Sequence, residues 1–337
     1  MRRFLFLTLL LFCFGFLQAQ PSKIIFDTDF ALDVDDAGSL ALLHTCMNRH
    51  ECELLGIVVS SSLNSYDGKW AVPAIDAINQ WYGRKNIPIG IFKGVNPIKD
   101  DSSHYTRQVQ AAFPHSYKPG DTIMEAYKLY RKILASQPDR SVKILTVGFL
   151  NNLELLLKSG PDEFSSLTGS KLVKQKVNEW ICMGGSYPAG IDEFNFNIYP
   201  QSTKYVLSHW PTMATFIGFE LGENVLTGGI LNERYKKEEN PVAMSFYYYC
   251  QGKNRCSWDE IATLYAIKGV GKTFLGTHGW NTEFRIAEND KPGERPHGKN
   301  VWMKDKAGNH QYLKLQIPIR DLEQILDLLM AAPPATY

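Results

Sequence analysis

The sequence lacks the features that identify several large classes of protein. Neither charge dominates, since 36 lysine and arginine residues stand against 35 aspartate and glutamate residues, so nothing indicates a nucleic-acid partner. None of the six cysteines forms a Cys-x-x-Cys motif, and the eight histidines have no metal-ligand spacing, which argues against a zinc site. Low-complexity linkers and internal repeats are also missing, and we therefore expect a single folded domain.

One long apolar run is present, and it lies at the N-terminus. Arg2 and Arg3 give a positive start, Phe4 to Phe16 form the apolar stretch, and Leu17 to Ala19 provide a cleavage site. No later run reaches the length of a membrane span without charges. We therefore expect residues 1–19 to be a cleaved signal peptide and residues 20–337 to be a periplasmic or secreted domain that is free of the membrane.

Five cysteines remain after such a cleavage, which is an odd number. Cys46 with Cys52 and Cys250 with Cys256 are possible disulfides. Buried free thiols are at least as good an interpretation, because a domain of this size does not need covalent cross-links.

Segments with strand character alternate with segments of helical period, which predicts an α/β fold with a mostly parallel open sheet, Rossmann-like and flanked by helices. The polar stretch from Pro97 to Pro119 is long enough to be a substrate-covering loop. The C-terminal part predicts a β-hairpin, Val301–Lys304 with Tyr312–Leu315, and a closing helix. The main predicted strands are Ile24–Phe26, Leu54–Val59, Ile87–Ile91, Val142–Val147, Glu179–Met183 and Thr212–Phe216. The main predicted helices are Ala37–His44, Trp70–Trp81, Asn151–Leu157, Glu260–Lys268 and Arg320–Leu329.

The most informative segment is an acidic cluster directly after the first strand. Five of the ten residues from Asp27 to Asp36 are aspartate, and an apolar helix follows them. Carboxylates this close repel one another unless a cation or protons offset their charge. Oxygen ligands without cysteine or histidine favour Ca²⁺ or Mg²⁺. The sequence therefore predicts a divalent cation site at the carboxyl end of a strand, where open α/β sheets bind ligands.

Further polar segments follow in a definite order: Asn64, Val147-Gly148, Glu193 to Asn197, and Trp258-Asp259. Together with Asp27-Thr28-Asp29 and Asp35-Asp36-Ala37, these segments resemble the nucleoside hydrolases over roughly residues 23 to 270. The resemblance implies hydrolysis of the N-glycosidic bond of ribonucleosides to ribose and free base. It also implies that a small-molecule nucleoside is the partner.

The resemblance further implies one bound Ca²⁺. Its protein ligands would be Asp29, Asp36, the backbone carbonyl of Val147, and Asp259, with ribose hydroxyls completing the shell. Asp29 would also be the general base for the attacking water, which the metal makes easier to deprotonate. The sugar and its growing positive charge would be held by four further residues: Asp35, Asn64, Glu193 and Asn195.

Departures from the family pattern concern the acidic loop and the leaving group. Two extra residues, including Asp33, precede the aspartate pair, so Asp33 could replace Asp35 or Asp36 in the site. Trp258 stands where inosine-uridine-preferring members have a histidine that helps the base to depart. A tryptophan there resembles the purine-specific members, in which the ring stacks on the base, and we therefore expect purine nucleosides as substrates. The other interpretation of Trp258 is a buried helix-start residue.

Two alternative functions remain at this point. Asp27-Thr28-Asp29 could be the nucleophile loop of a haloacid-dehalogenase-like phosphatase, although that enzyme would not need the later aspartates. The chain could also be an exported nucleoside-binding protein with a degenerate hydrolase site, although a pure binder has no need of Asp29 as a base. Members of the nucleoside hydrolase family are commonly dimers or tetramers, which makes a homo-oligomer possible.

Overall fold

The computed structural model describes residues 20–62, 68–95, 97–98, 105–118, 121–287, 297–305 and 307–335. The predicted signal peptide, residues 1–19, and the predicted sugar ligand Asn64 lie outside the described residues. Within these ranges no helix has the length and apolar character needed to cross a membrane.

Twelve strands and thirteen helices are present in the described chain. The strands are β1 (Ser22–Thr28), β2 (Cys52–Ser62), β3 (Ile89–Phe92), β4 (Met124–Glu125), β5 (Val142–Thr146), β6 (Val177–Met183), β7 (Met213–Ile217), β8 (Leu226–Thr227), β9 (Arg255–Cys256), β10 (Phe274–Ile286), β11 (Gly298–Lys304) and β12 (His310–Leu315). The helices are α1 (Asp35–Asn48), α2 (Gly68–Trp81), α3 (Tyr105–Ala112), α4 (Ala126–Ser136), α5 (Asn151–Lys158), α6 (Gly169–Lys176), α7 (Phe194–Ile198), α8 (Pro200–His209), α9 (Phe219–Gly222), α10 (Gly229–Arg234), α11 (Pro241–Cys250), α12 (Trp258–Lys268) and α13 (Ile319–Met330).

Ten of these strands form one sheet in the order β11-β10-β12-β7-β6-β5-β1-β2-β3-β4. All neighbours from β12 to β4 are parallel, which confirms the predicted mostly parallel open sheet. The chain builds outwards from β1 in one direction through β2 to β4, and then in the other direction through β5 to β7. The strand order therefore reverses between β1 and β5, and such a switch point is where α/β sheets bind ligands.

The core lies on both faces of this sheet. Successive side chains of a strand point to opposite faces, and Ile24 and Phe26 of β1 accordingly pack in one apolar cluster while Ile25 packs in the other. The first cluster includes α1, which is buried almost all round from Asp35 to Cys46. The acidic start of α1 is therefore held inside the molecule by an apolar helix.

The C-terminal strands pair differently from the prediction. Val301–Lys304 and Tyr312–Leu315 are indeed strands, within β11 and β12, but the predicted hairpin between them is wrong. The strand β10 lies between them and is antiparallel to both. We did not predict β10, because its sequence contains two glycines and several polar residues that weaken the strand signal. The predicted closing helix is confirmed as α13.

Two smaller predictions concern the substrate-covering loop and the cysteines. The stretch predicted as a substrate-covering loop contains helix α3 among its described residues, and Tyr105 of that helix is fully buried. Packing of a helix thus replaces part of the expected loop. All five described cysteines are free thiols, so neither possible disulfide forms.

Candidate active site

A pocket of about 710 Å³ opens at the carboxyl ends of the central parallel strands. Eight predicted site residues line it together. They are Asp29, Asp35, Asp36, Val147, Glu193, Asn195, Trp258 and Asp259. The structure therefore brings together every predicted site residue that belongs to the described chain, although these residues are spread over most of its length.

Backbone packing fixes Asp29 at the switch point between β1 and β5. A Cβ atom on Gly148 would lie 2.5 Å from the Asp29 nitrogen and 2.7 Å from Ser60 Oγ, so only glycine fits there. The Ser60 hydroxyl donates a hydrogen bond to the Thr28 carbonyl (3.1 Å) and accepts one from the Phe149 N–H (3.2 Å). Three strand ends are thus tied together around Asp29.

Three further carboxylates come from the first turns of α1 and α12. Asp35, Asp36 and Asp259 each offer an oxygen within 4.8 Å of the others, and the Asp259 N–H lies 3.4 Å from Asp35 Oδ2. Both helix N-termini carry partial positive charge, which favours carboxylates there. Thr28 Oγ1 donates to Asp36 Oδ1, whereas Asp36 Oδ2 is buried and has no hydrogen-bond partner among the described residues.

The negative charges of four carboxylates, those of Asp29, Asp35, Asp36 and Asp259, have to be balanced in this pocket. Burial raises the pKa of Asp29 to about 8, with repulsion from Asp33 and Glu193 adding to the effect. Burial also raises the pKa values of Asp35, Asp36 and Asp259 well above their usual range, and the carboxylates repel one another as well. A cation placed between them would reverse these shifts. The buried oxygen ligands and the unpartnered Asp36 oxygen fit a hard divalent ion.

Asn195 and Val147 line the same pocket as these carboxylates. Asn195 Nδ2 donates to the Val147 carbonyl at 2.8 Å and lies 3.1 Å from Met183 Sδ. A carbonyl oxygen has two lone pairs, so Val147 keeps one acceptor site beside the hydrogen bond. The amide of Asn195 is thereby held in one orientation over the end of β5.

Glu193 acts first as the N-cap of α7. Its oxygens accept the N–H groups of Asn195 (2.9 Å), Phe196 (3.0 Å) and Gly185 (3.0 Å). Burial raises the pKa of Glu193 to about 7, while these three N–H donors oppose that shift. The predicted sugar ligand therefore also fixes the loop that carries Asn195.

Another part of the pocket lining is aromatic, and we call it the aromatic wall. Trp258 Nε1 donates to the Phe219 carbonyl at 2.8 Å, and the two rings stack with their centroids 5.2 Å apart. Tyr248 and Tyr249 line this wall as well. Trp258 thus lines the pocket from the start of α12, where it is half-buried and not the fully buried helix-start residue of the second interpretation.

The ion pair between Asp33 and Arg255 on this wall was not predicted from the sequence. Asp33 accepts hydrogen bonds from Arg255 Nε (3.1 Å) and Nη2 (2.5 Å). Asp33 therefore faces Arg255, whereas Asp35 and Asp36 face Asp259. The extra aspartate of the loop was the only available signal, because a lone arginine three residues before Trp258 has no diagnostic spacing.

Solved structures share this fold. The inosine-uridine preferring nucleoside hydrolase from Bacillus anthracis is 15% identical, with a TM-score of 0.62 over 92% of this chain and 99% of that one. An inosine-guanosine nucleoside hydrolase is 17% identical, with a TM-score of 0.67 over 93% and 100%. The purine-preferring ribonucleoside hydrolase from Gardnerella vaginalis is 15% identical, with a TM-score of 0.66 over 92% and 99%. At these identities the likeness concerns the fold.

Sequence comparison gives the family itself. No curated protein sequence matches the chain, but the family model described as inosine-uridine preferring nucleoside hydrolase matches residues 24–310. That span contains the whole acidic loop after β1 and the Trp258-Asp259 start of α12, and the family's need for a metal agrees with the buried carboxylates between them. The phosphatase and pure-binder interpretations have no comparable support. The chain therefore belongs to the nucleoside hydrolase family and is an N-ribohydrolase.

Proposed function

We propose that this N-ribohydrolase acts on purine ribonucleosides and depends on Ca²⁺. The observation that carries the proposal is the junction of two unlike walls in one pocket. One wall offers four buried carboxylates, and the other offers stacked aromatic side chains. A ribose with several hydroxyls suits the first wall, and a flat two-ring base suits the second.

Ca²⁺ would be held by Asp29, Asp36, Asp259 and the carbonyl of Val147. Four protein groups leave room in the six to eight oxygen ligands that Ca²⁺ usually takes, and ribose hydroxyls can fill it. When bound, the ion supplies a positive centre that orients the sugar and makes a water easier to deprotonate. The unpartnered Asp36 oxygen supports this assignment, because a buried carboxylate oxygen without a hydrogen bond is otherwise costly.

Asp29 is the proposed general base. It accepts a proton from the water whose oxygen forms a bond to the ribose C1′, while the C1′–N bond breaks and its electron pair leaves with the base. The transition state has oxocarbenium character, so Asp35 and the oriented amide of Asn195 stabilise the sugar as it becomes positive. Glu193 contributes through the loop that it caps and through its own charge.

The purine preference rests on the aromatic wall. Trp258 has no acid group that could protonate the base, and its indole N–H already donates to the Phe219 carbonyl. Stacking and burial must therefore provide most of the binding of the base, and both increase with the size of its ring system. Two of the structures similar to this chain are an inosine-guanosine and a purine-preferring hydrolase, which agrees with this proposal.

We further propose that the enzyme works outside the cytoplasm after loss of residues 1–19. N-terminal sequencing of the protein secreted or released from the periplasm tests this directly. A mature N-terminus at Gln20 is expected, and retention of Met1 or Arg2 would contradict it.

The decisive experiment measures reducing-sugar release from a panel of purine and pyrimidine nucleosides by the mature protein. Each reaction is run with Ca²⁺, with excess chelator, and with Mg²⁺ or Zn²⁺ added back after chelation. Chelator-sensitive release from purines, restored best by Ca²⁺, is the expected result. Equal turnover of pyrimidines would remove the proposed base preference, and chelator-resistant release would remove the metal.

A further inference from the structure

Arg255 occupies a special place on the aromatic wall. Its guanidinium carbon lies 5.6 Å from the ring centroid of Tyr249 and 5.5 Å from that of Trp258, distances at which a cation is attracted to an aromatic ring. Arg255 lines the pocket and its side chain is 34% exposed. Among the described lining residues it is the one lysine, arginine or histidine.

Asp33 holds this guanidinium in place. The pair uses Arg255 Nε and Nη2, and no hydrogen bond among the described residues uses Nη1. A guanidinium has five N–H donors in a rigid plane. Anchoring one edge of that plane therefore leaves donors available to a molecule in the pocket.

The loop that carries Asp33 is itself fixed from behind. The buried Tyr105 hydroxyl donates to the Asp33 carbonyl (2.8 Å) and accepts the Ala31 N–H (3.1 Å). Asp33 Oδ1 also accepts the N–H of Val34 at 2.6 Å. The anchor of Arg255 is thus built into the fold, and Asp33 belongs to the two extra residues that lengthen this loop relative to the commonest family spacing.

Cleavage of an N-glycosidic bond leaves an electron pair on a ring nitrogen of the base, and the negative charge must be stabilised there. Trp258 has no acid group for this task, and its N–H donates to Phe219. We propose that Arg255 fills the role: it donates hydrogen bonds to the acceptor edge of the departing base and so stabilises the anion that forms. Asp33 is its positioning residue.

The atoms and charges of this step balance without another reactant. Water adds its hydroxyl to C1′ and gives its proton to Asp29. The base leaves with the C1′–N electron pair as an anion that is hydrogen-bonded to Arg255, and it then takes a proton from solvent. Arg255 keeps its own protons throughout, because its ion pair with Asp33 favours the charged form. This inference rests on the proposed function, in which the leaving group is a purine with acceptor atoms at its edge.

The test compares two leaving groups in Arg255→Gln. Purine nucleosides need stabilisation of the departing base, whereas 4-nitrophenyl β-D-ribofuranoside releases an anion that is stable by itself. We expect the variant to lose roughly 100-fold or more in kcat on the purine nucleoside, as for the loss of one oxyanion donor. On the nitrophenyl riboside its kcat should stay within about threefold of wild type. Equal losses on both substrates, or no loss on either, would overturn the proposal.

Matched variants separate this role from a structural one. Arg255→Lys should keep part of the purine activity, because it retains one cationic donor, and Asp33→Asn should show a smaller loss with the same dependence on leaving group. Arg285→Gln removes an exposed arginine paired with Glu283 at 3.4 Å and should change neither substrate. If Arg255→Gln does not fold, Asp33→Asn carries the same comparison. Wild-type protein that cleaves neither substrate would refute the proposed function itself, and this inference with it.

Discussion

Asp27 and Asp29 lie two residues apart on one strand end, and both are buried. The Asp27 oxygens accept hydrogen bonds from Tyr130 Oη (2.9 Å) and Asn152 Nδ2 (3.1 Å), so neutral donors satisfy both of them. Asp29 points into the pocket, beside carboxylates that include the unpartnered Asp36 oxygen. This difference separates two kinds of buried acid. The hydrogen-bond partners of Asp27 belong to the fold, whereas Asp29 lies among carboxylates whose charge needs a cation that the chain does not supply.

The same contrast holds between the two walls of the pocket. The carboxylates Asp29, Asp35, Asp36 and Asp259 are each at most 5% exposed and begin helices or follow strands of the core. On the aromatic wall Tyr248 is 40% exposed, and Arg255 is held by one ion pair. In the proposed function the chemistry is therefore set by backbone positions, whereas recognition of the base is set by side chains that can change without altering the sheet.

The largest expected effect comes from replacing Asp29 by asparagine, with the same replacement of Asp27 as the comparison. Asp29→Asn should lower kcat by roughly 1,000-fold, because it removes the proposed general base. Asp27→Asn should keep kcat within about tenfold of wild type while lowering the free energy of unfolding by about 1–3 kcal/mol, since an amide would face two donors. Steady-state kinetics and denaturant unfolding of both variants check this. Equal kinetic losses would show that Asp27 is not merely structural.

A smaller loss is expected when a carboxylate that only holds the cation is removed. Asp36→Asn should weaken Ca²⁺ binding at least about 100-fold, because the site loses a charged ligand of a hard ion. Isothermal titration with Ca²⁺ measures the affinity, and excess Ca²⁺ should restore part of the activity. Unchanged affinity would remove Asp36 from the cation site.

The loop from Gly184 to Ile198 offers a third test, because strand β11 clamps it. Asn300 exchanges two hydrogen bonds with the backbone of Ser186 (3.0 and 2.8 Å), and Asn197 does the same with Gly298 (2.9 and 2.5 Å). Asn300→Ala should raise KM roughly tenfold by loosening the position of Asn195. If Asn300 acts through Asn195, the effects of Asn300→Ala and Asn195→Ala will not add in a double-mutant cycle. Additive effects would contradict this link.

These interactions also show what a sequence can and cannot predict. The acidic loop and the Trp258-Asp259 pair were found because each is a local pattern next to a strand or a helix start. Arg255 and Asp33 are 222 residues apart, and Asn300 is 114 residues from Ser186. No local period relates such residues, because their contact is created only when the sheet brings distant segments together.

Strand β10, at the antiparallel end of the sheet, was missed for a related reason. Strand β10 has glycines and polar residues along its length, and its stability comes from two neighbouring strands rather than from its own propensity. The parallel strands were predictable because both of their faces are buried, and long apolar runs mark them in the sequence. The strand that clamps the loop of Asn195, β11, therefore pairs with the strand that has the weakest sequence signal, β10.

The smallest expected effect is a pH dependence of stability that comes from the pocket carboxylates. The pKa of Asp29 is raised to about 8 in the metal-free fold from an unfolded value of about 4. The contribution of Asp29 to the free energy of unfolding is therefore fully present below about pH 4 and is lost as the pH rises towards 8.

The melting temperature of chelator-treated protein should fall between pH 5 and 8. Saturating Ca²⁺ should remove most of this fall, because it stabilises the ionised carboxylates. Asp29→Asn should have a shallower fall without Ca²⁺ than wild type. A flat profile in chelator would mean that the carboxylates balance their charges without a cation.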